Sequence, residues 1–526
     1  MIYVVGSGPS GVSVTKALLA LGQEVRMLDY GLTLEEDRLK VLNELKELPR
    51  ENWDPGKIDF LKGPVKVSNR GVDFKNAYGS DFPYRGEHFV ELPPRGIEVK
   101  PSLAAGGLSN VWGAAILPAR KTDLADWPIP SEALIPHYQA VLSLLDVSAS
   151  EDELANPFPL YTDKPQYLKL SNQGHKLLET LGLNRDELSK AGIGFGQARL
   201  ALRAEDSPEG PGCVYCGLCL TGCPYELIYN SWHTVKKFKA NPKFQYRPDV
   251  NVKTVEETPE GVVIKGSDGK TGEDVTFNGD RVYLAAGPFS TAQILLQSQS
   301  AFEKEIYFKT SQYFMVPFIS NFAIKDVRRE SLYTLAQIFV EIMDEAISHQ
   351  TVHLQFYSYN EMYLSYFKSK IGFLAGLADP LIDRVLGRLF IVQSFLHSND
   401  SSLIAVKLKR QLGNSILTLS PAVKPRAREV VKKVLGKIKR HSGLMGGFPL
   451  TPFLHFGALG DGNHTGGSFP MKRSPSQFET DIAGRPFGFK RVHLVDSSVL
   501  PTIPGTTITL TIMANAHRIG SMEKDL

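Results

Sequence analysis

Cysteine is scarce in this chain: there are four in 526 residues, all within the window from Cys213 to Cys223. A disulfide framework is thereby excluded, because it needs dense and dispersed pairs, and clustered cysteines in a chain without an export signal read as ligands in a reducing compartment. Charge of one sign is lacking too. The 59 basic and 56 acidic side chains leave a net +3, too small a field to imply nucleic acid as a partner. No uncharged apolar run approaches the ~18 residues of a spanning helix, and the longest, residues 371–378 and 389–398, fall far short. Met1-Ile2-Tyr3-Val4-Val5-Gly6 carries no charged leader or cleavage site, so the expectation is a folded domain that starts at once in a cytoplasmic protein. No internal repeat or low-complexity linker interrupts the chain. With 42% hydrophobic and 22% charged residues it is globular rather than disordered or collagen-like, and a prior of roughly 150 residues per domain suggests two to four domains.

What is present begins at the first residues. Ile2 to Val5 is a short β-branched run, followed by Gly6-Ser7-Gly8-Pro9-Ser10-Gly11 and an apolar-periodic segment at 12–21. This is strand, tight turn and helix. Gly6 permits the turn, Gly8 lets backbone approach a pyrophosphate, Gly11 allows close helix packing, and the helix amino terminus offers unpaired N–H groups to the anion. A second strand at 24–28 ends at Asp29, placed to accept a ribose hydroxyl. Dinucleotide binding follows, with NAD and FAD both open, since each presents a ribose and a pyrophosphate.

Three further segments bear on that choice. Residues 101–113 form a glycine-rich loop containing Gly106, Gly107, Ser109, Asn110, Val111 and Trp112. Arg281-Val282-Tyr283-Leu284-Ala285-Ala286-Gly287 reads as a buried strand stopping at a glycine, with a helix from about Ser290. Near the carboxyl end a strand at 492–495 carries Asp496 at its tip, then Pro501-Thr502-Ile503-Pro504-Gly505-Thr506-Thr507 leads into a helix at about 509–519.

In this order and spacing the four segments resemble the glucose-methanol-choline (GMC) family of FAD-dependent oxidoreductases. The resemblance covers the amino-terminal unit, the Gly106 loop, the Ala285-Ala286-Gly287 strand and about 455–520, and is poor in the middle. It implies an α/β fold, with a Rossmann-type FAD-binding domain from 1–130, 200–300 and 455–526. It also implies an α+β substrate domain, a sheet with covering helices, from 131–199 and 301–454. Gly6, Gly8, Gly11, Asp29, Gly106, Gly107, Ser109, Asn110, Gly287, Asp496 and Thr507 become candidate FAD contacts. The stretch Asn463-His464-Thr465-Gly466-Gly467 resembles the family's histidine motif, which makes His464 the expected general base for an alcohol whose hydride passes to flavin N5. An imidazole suits that task because its ordinary pKa lies near neutrality. Where the family usually has a second histidine or asparagine, this chain has Thr507, which can hydrogen-bond but is no strong base. His455 and Asn463 are candidate substitutes, against a reading of both as plain loop residues. In the family the helix opening near Thr509 faces the flavin pyrimidine, where its dipole would stabilise negative charge. Val111 stands where some members tether flavin through histidine, so a dissociable FAD is expected.

Cys213, Cys216, Cys219 and Cys223-Pro224 reproduce ferredoxin ligand spacing. Three readings stay open: an iron-sulfur cluster like that of similar FAD-dependent sugar dehydrogenases, zinc, or unmetallated thiols shaping a loop. A cluster would be an electron exit to a protein or quinone acceptor and would make the enzyme a dehydrogenase. The expected substrate is a small-molecule alcohol, a sugar or sugar-containing metabolite. An oxygen-reducing oxidase, a flavoprotein that has lost alcohol oxidation, and an NAD enzyme are the rivals. Tyr357, Tyr359, Tyr363 and Tyr366 could stack on a sugar, although such residues more often pack in a core. The apolar stretch 366–396 beside the basic residues from Lys407 to Arg440 reads either as peripheral membrane contact or as a buried helix and a solvated amphipathic helix at 427–440.

Overall fold

A computed structural model describes residues 1–63, 67–68, 71–72, 77–86, 89–93, 95–362, 379–411, 413–424 and 426–522. Its organising element is a five-stranded parallel sheet in the order Val492–Leu494, Arg281–Leu284, Ile2–Val5, Val25–Leu28 and Phe244–Arg247. Ile2–Val5 lies at the centre and is buried throughout, as a parallel strand covered on both faces must be. The helices Pro9–Ala20 and Thr509–Ser521 pack on one another. Their close approach depends on Gly520, where a Cβ would stand 2.9 Å from Val14 Cγ2 and 3.0 Å from Ala17 Cβ. The beginning, middle and end of the sequence therefore meet in one nucleotide-type unit, with the antiparallel strands Val250–Glu257, Val262–Asp268 and Asp274–Gly279 beside it.

A second large sheet is antiparallel. Its path runs Gly447–Pro449, Tyr313–Ser320, Leu389–Phe395, Val352–Tyr357, Ile338–Ile342 and Ile193–Gln197, and His455–Phe456 pairs with Tyr313–Ser320. Alternation along Val352–Tyr357 sends Val352, Leu354 and Phe356 into an apolar core that also takes Leu177, Leu181, Val430 and Val434 from the helices Asn172–Leu183 and Arg426–Arg440. His353, Gln355 and Tyr357 occupy the other face. A smaller sheet, Thr465–Gly466, Glu305–Thr310, Leu403–Gln411, Asn414–Ala422 and Val90–Glu91, joins the His464 region to the rest.

This is the α/β architecture expected from the sequence, a Rossmann-type unit joined to a sheet with covering helices. One local expectation changes. Residues 389–395 form a buried sheet strand rather than part of an interfacial helix, while residues 363–378, including Tyr363, Tyr366 and Phe373, lie outside the described residues. The basic helix Arg426–Arg440 buries its apolar face in the core and leaves Lys432, Lys433, Lys439 and Arg440 exposed. No described helix is long and apolar enough to cross a membrane.

Candidate functional site

Gly6 leaves the central strand at φ +101°, a conformation that favours glycine, and the chain turns into the Pro9–Ala20 helix. A Cβ on Gly11 would lie 2.0 Å from Gly6 O, so only a residue without one lets the helix sit this close to the turn. Gly8 has nothing within 4 Å of its Cβ position and faces a cavity. No side chain caps this helix, which leaves its first N–H groups for an anion. Asp29, also on the cavity, accepts hydrogen bonds from Ser7 Oγ and, at 3.0 Å, from Tyr246 Oη. Burial raises its pKa to about 7 against the lowering effect of those bonds.

The Gly106 loop is pinned to the same turn. Gly106 N donates to Ser7 Oγ at 2.8 Å, and Ser231 Oγ donates to Ser7 O at 2.9 Å. Gly106 has φ +85°, and a Cβ there would meet Asn230 Oδ1 at 2.4 Å. Gly107 and Ser109 line the cavity, Ser109 Oγ donating to Gly106 O at 2.6 Å. Asn110 turns inward to donate to Ala105 O and Gly107 O at 2.9 and 2.7 Å, so it shapes the loop and is not among the cavity-lining residues.

From the carboxyl side, Gly287 at φ +81° caps the Pro288–Ser298 helix, and Asp496 accepts from Thr291 Oγ1 at 2.5 Å and Ser498 N at 2.9 Å. Burial raises the Asp496 pKa. Both residues line the cavity. Thr507 lines it as well, but its Oγ1 accepts the Leu117 N–H at 2.9 Å, which commits the hydroxyl oxygen to holding backbone. Thr507→Val is accordingly expected to cost about 1–3 kcal/mol of stability by orphaning a buried N–H, while flavin reduction changes less than about tenfold. A Tm scan beside a reduction rate checks it.

His464 is partly buried on the cavity wall, with Phe395 4.7 Å from it between ring centroids. Its Nδ1 is shielded from solvent and has no hydrogen-bond partner among the described residues. Burial lowers its pKa to about 4, so the imidazole is neutral and able to take a proton at neutral pH. His455 and Asn463 also line the cavity. His455 Nε2 is 3.8 Å from Asp461 Oδ2, and Asn463 adopts φ +56° in its loop.

These groups share one cavity of about 1710 Å³. Three helix amino termini open on it, at Pro9, Pro288 and Thr509, each without a side-chain cap. An elongated anionic cofactor fits this donor set, with its phosphates at Gly8-Pro9-Ser10 and its far end toward Thr507 and His464.

Gln312, Gln355 and Gln393 line the cavity with Tyr357 and were not selected from the sequence. A period-two signal was there: His353, Gln355 and Tyr357 interleave with Val352, Leu354 and Phe356. Tyr357 was singled out for stacking. Its hydroxyl instead donates to Gln355 Oε1 at 2.9 Å, and Tyr359 is buried in a separate apolar cluster.

Cys213, Cys216, Cys219 and Cys223 are all half-buried free thiols. Among the described residues no three His, Cys, Asp or Glu side chains come together as a metal-holding group. Burial, followed by the charge of Cys219, pushes Cys213 and Cys216 up to about 12 and about 11, and burial raises Cys223 as well. What the segment does build is a loop. Arg50 Nη1 donates to Val214 O at 2.8 Å, Tyr78 Oη donates to Cys223 O at 3.0 Å, and Gly222, at φ +120°, leaves no room for a Cβ beside the Tyr78 ring.

A family model described as GMC oxidoreductase matches residues 455–516, the stretch carrying His464, Asp496 and Thr507. Among solved structures, pyridoxine 4-oxidase from Mesorbium loti is similar with a TM-score of 0.57 and 12% identity, over 100% of this chain and 99% of that one. Formate oxidase is similar with a TM-score of 0.58 and 11% identity, over 100% of this chain and 98% of that one. No curated protein matches by sequence.

Proposed function

Given a GMC oxidoreductase carboxyl-terminal domain at 455–516 on a Rossmann-type fold, we propose that the chain is an FAD-dependent oxidoreductase acting on CH–OH groups, with His464 as general base. The observation that carries this reading is that the glycine turn and His464 open on one continuous cavity. FAD, when bound, supplies a two-electron acceptor for the substrate hydride. The chain's residues do the rest. Gly6, Gly8 and Gly11 admit the pyrophosphate, Asp29 offers a carboxylate to the ribose, and the uncapped Thr509–Ser521 helix presents N–H groups to developing negative charge. His464, held neutral, takes the hydroxyl proton of the alcohol on its imidazole nitrogen.

The substrate on this reading is a small alcohol, a sugar or a sugar-containing metabolite, and electrons leave to a protein or quinone acceptor. Oxidation by molecular oxygen is a second reading, favoured by cysteines that do not gather as cluster ligands. Peroxide formed in air in step with turnover separates the two. The function itself is tested by adding primary and secondary alcohols to the anaerobic holoprotein. Bleaching of the flavin bands by at least one is expected, and no bleaching by any would overturn the assignment.

A further inference from the structure

The cavity wall beside His464 carries a hydrogen-bond chain that the chemistry above leaves without a task. Register in the large sheet pairs Glu341 with His353 and His353 with Phe395, and on the next rung Phe339 with Gln355 and Gln355 with Gln393. Glu341 and His353 are wholly buried, with His353 Nδ1 2.6 Å from Glu341 Oε1. A carboxylate can only accept, so a proton lies on Nδ1, and a hydrogen bond from the amide nitrogen of Gln355 requires the neutral tautomer with Nε2 as acceptor. Gln355 Nε2 fills it at 3.0 Å, and Gln355 Oε1 takes the Tyr357 hydroxyl at 2.9 Å. Every group in this chain is thereby fixed in direction. Flipping the carboxamide would set its oxygen against the lone pair of His353 Nε2.

One amide hydrogen of Gln355 and the lone pairs of the Tyr357 oxygen remain unused by these contacts, and both residues line the cavity. A donor beside an acceptor is complementary to a hydroxyl group, which is itself both. Gln312 and Gln393 extend the wall with further carboxamides, and burial holds the Tyr357 phenol in its neutral form. A charged substrate group here would be desolvated without a counter-charge, whereas an uncharged hydroxyl keeps its hydrogen bonds. Phe395 touches the rings of both His353 and His464, so this wall adjoins the proposed base.

We propose that Gln355 and Tyr357 form a recognition pair for a second, uncharged hydroxyl of the substrate, and that Glu341 and His353 are positioning residues that aim Gln355. The proposal rests on the alcohol-oxidation reading and narrows it to polyhydric alcohols. A site built to bond a hydroxyl discriminates strongly against an analogue lacking it, because its own polar groups are then left unpaired.

The test uses purified holoprotein without air, following flavin bleaching by glycerol against 1-propanol and by D-sorbitol against 1-hexanol. The polyhydric member of each pair is expected to half-saturate at a concentration at least about tenfold lower. Gln355→Leu should bring the two members to within about twofold by weakening the polyhydric one, with the larger change in half-saturation rather than in maximal rate. His353→Phe should act in the same direction, and Tyr357→Phe carries the test if Gln355→Leu does not fold. Equal response to both classes in the unaltered protein, or a preference that survives Gln355→Leu and Tyr357→Phe, would overturn the proposal. Bleaching by no alcohol would overturn the alcohol reading itself.

Discussion

His464→Ala is expected to slow anaerobic flavin reduction by an active alcohol by a factor of about 100 to 10,000, the usual worth of a positioned general base. In barrier terms that is about 3–5 kcal/mol. Flavin content should stay near that of the unaltered protein, because His464 makes none of the contacts that hold the Gly106 loop to the glycine turn. The pH dependence follows from the same side chain. Burial holds its pKa at about 4, below the ordinary 6.5 of histidine, so the neutral, proton-accepting form persists through neutral and mildly acidic pH. The acid limb of kcat/KM is expected only as pH falls toward about 4 and should vanish in the alanine variant. A limb centred near 6.5 would place the base elsewhere. Stopped-flow reduction across a pH series reads both.

Gly11→Ala and Gly8→Ala form the second test, and their contrast is the informative part. At Gly11 the new Cβ would stand 2.0 Å from the backbone oxygen of Gly6, which cannot yield without opening the turn. Overpacking of this kind costs about 1–3 kcal/mol or more, so both the Tm of the flavin-free protein and its flavin affinity should fall. At Gly8 nothing lies within 4 Å, so the methyl enters the cavity where the pyrophosphate would approach. Here flavin affinity should fall by about tenfold or more, equivalent to about 1.4 kcal/mol, while the flavin-free Tm stays the same. Equal effects of the two substitutions would mean that the turn is only a structural corner.

The nucleotide half was legible because its signals are backbone requirements. The positive φ of Gly6, the missing Cβ of Gly11 and the acid ending the second strand must recur at fixed spacing wherever a strand feeds a helix beneath a pyrophosphate. His464 was singled out through its motif, and the fold sets it on the same cavity as the glycine turn. Less visible was what holds these residues in place. Ser7 bridges Asp29 and Gly106, and Tyr246 reaches Asp29 from a strand 217 positions away. Thr507 stood out as a departure from the family pattern, but that its oxygen accepts the Leu117 N–H depends on a contact across 390 positions. Glu341, His353 and Gln355 meet through strand register, which pattern alone does not supply. The cysteine spacing left its reading open for a related reason. It constrains a tight loop as readily as a ligand set, and Gly217, Gly222 and the Tyr78 and Arg50 contacts make it a loop.

The central claim is a flavin in the cavity shared by Gly8 and His464. Its most direct test is the visible absorption spectrum of the purified protein, followed by identification of whatever denaturation releases. Resolved flavin bands and released FAD are predicted, the FAD coming away without covalent attachment because Val111 offers no tether. A colourless protein that retains NAD, or that binds neither cofactor when supplied with both, would contradict the account.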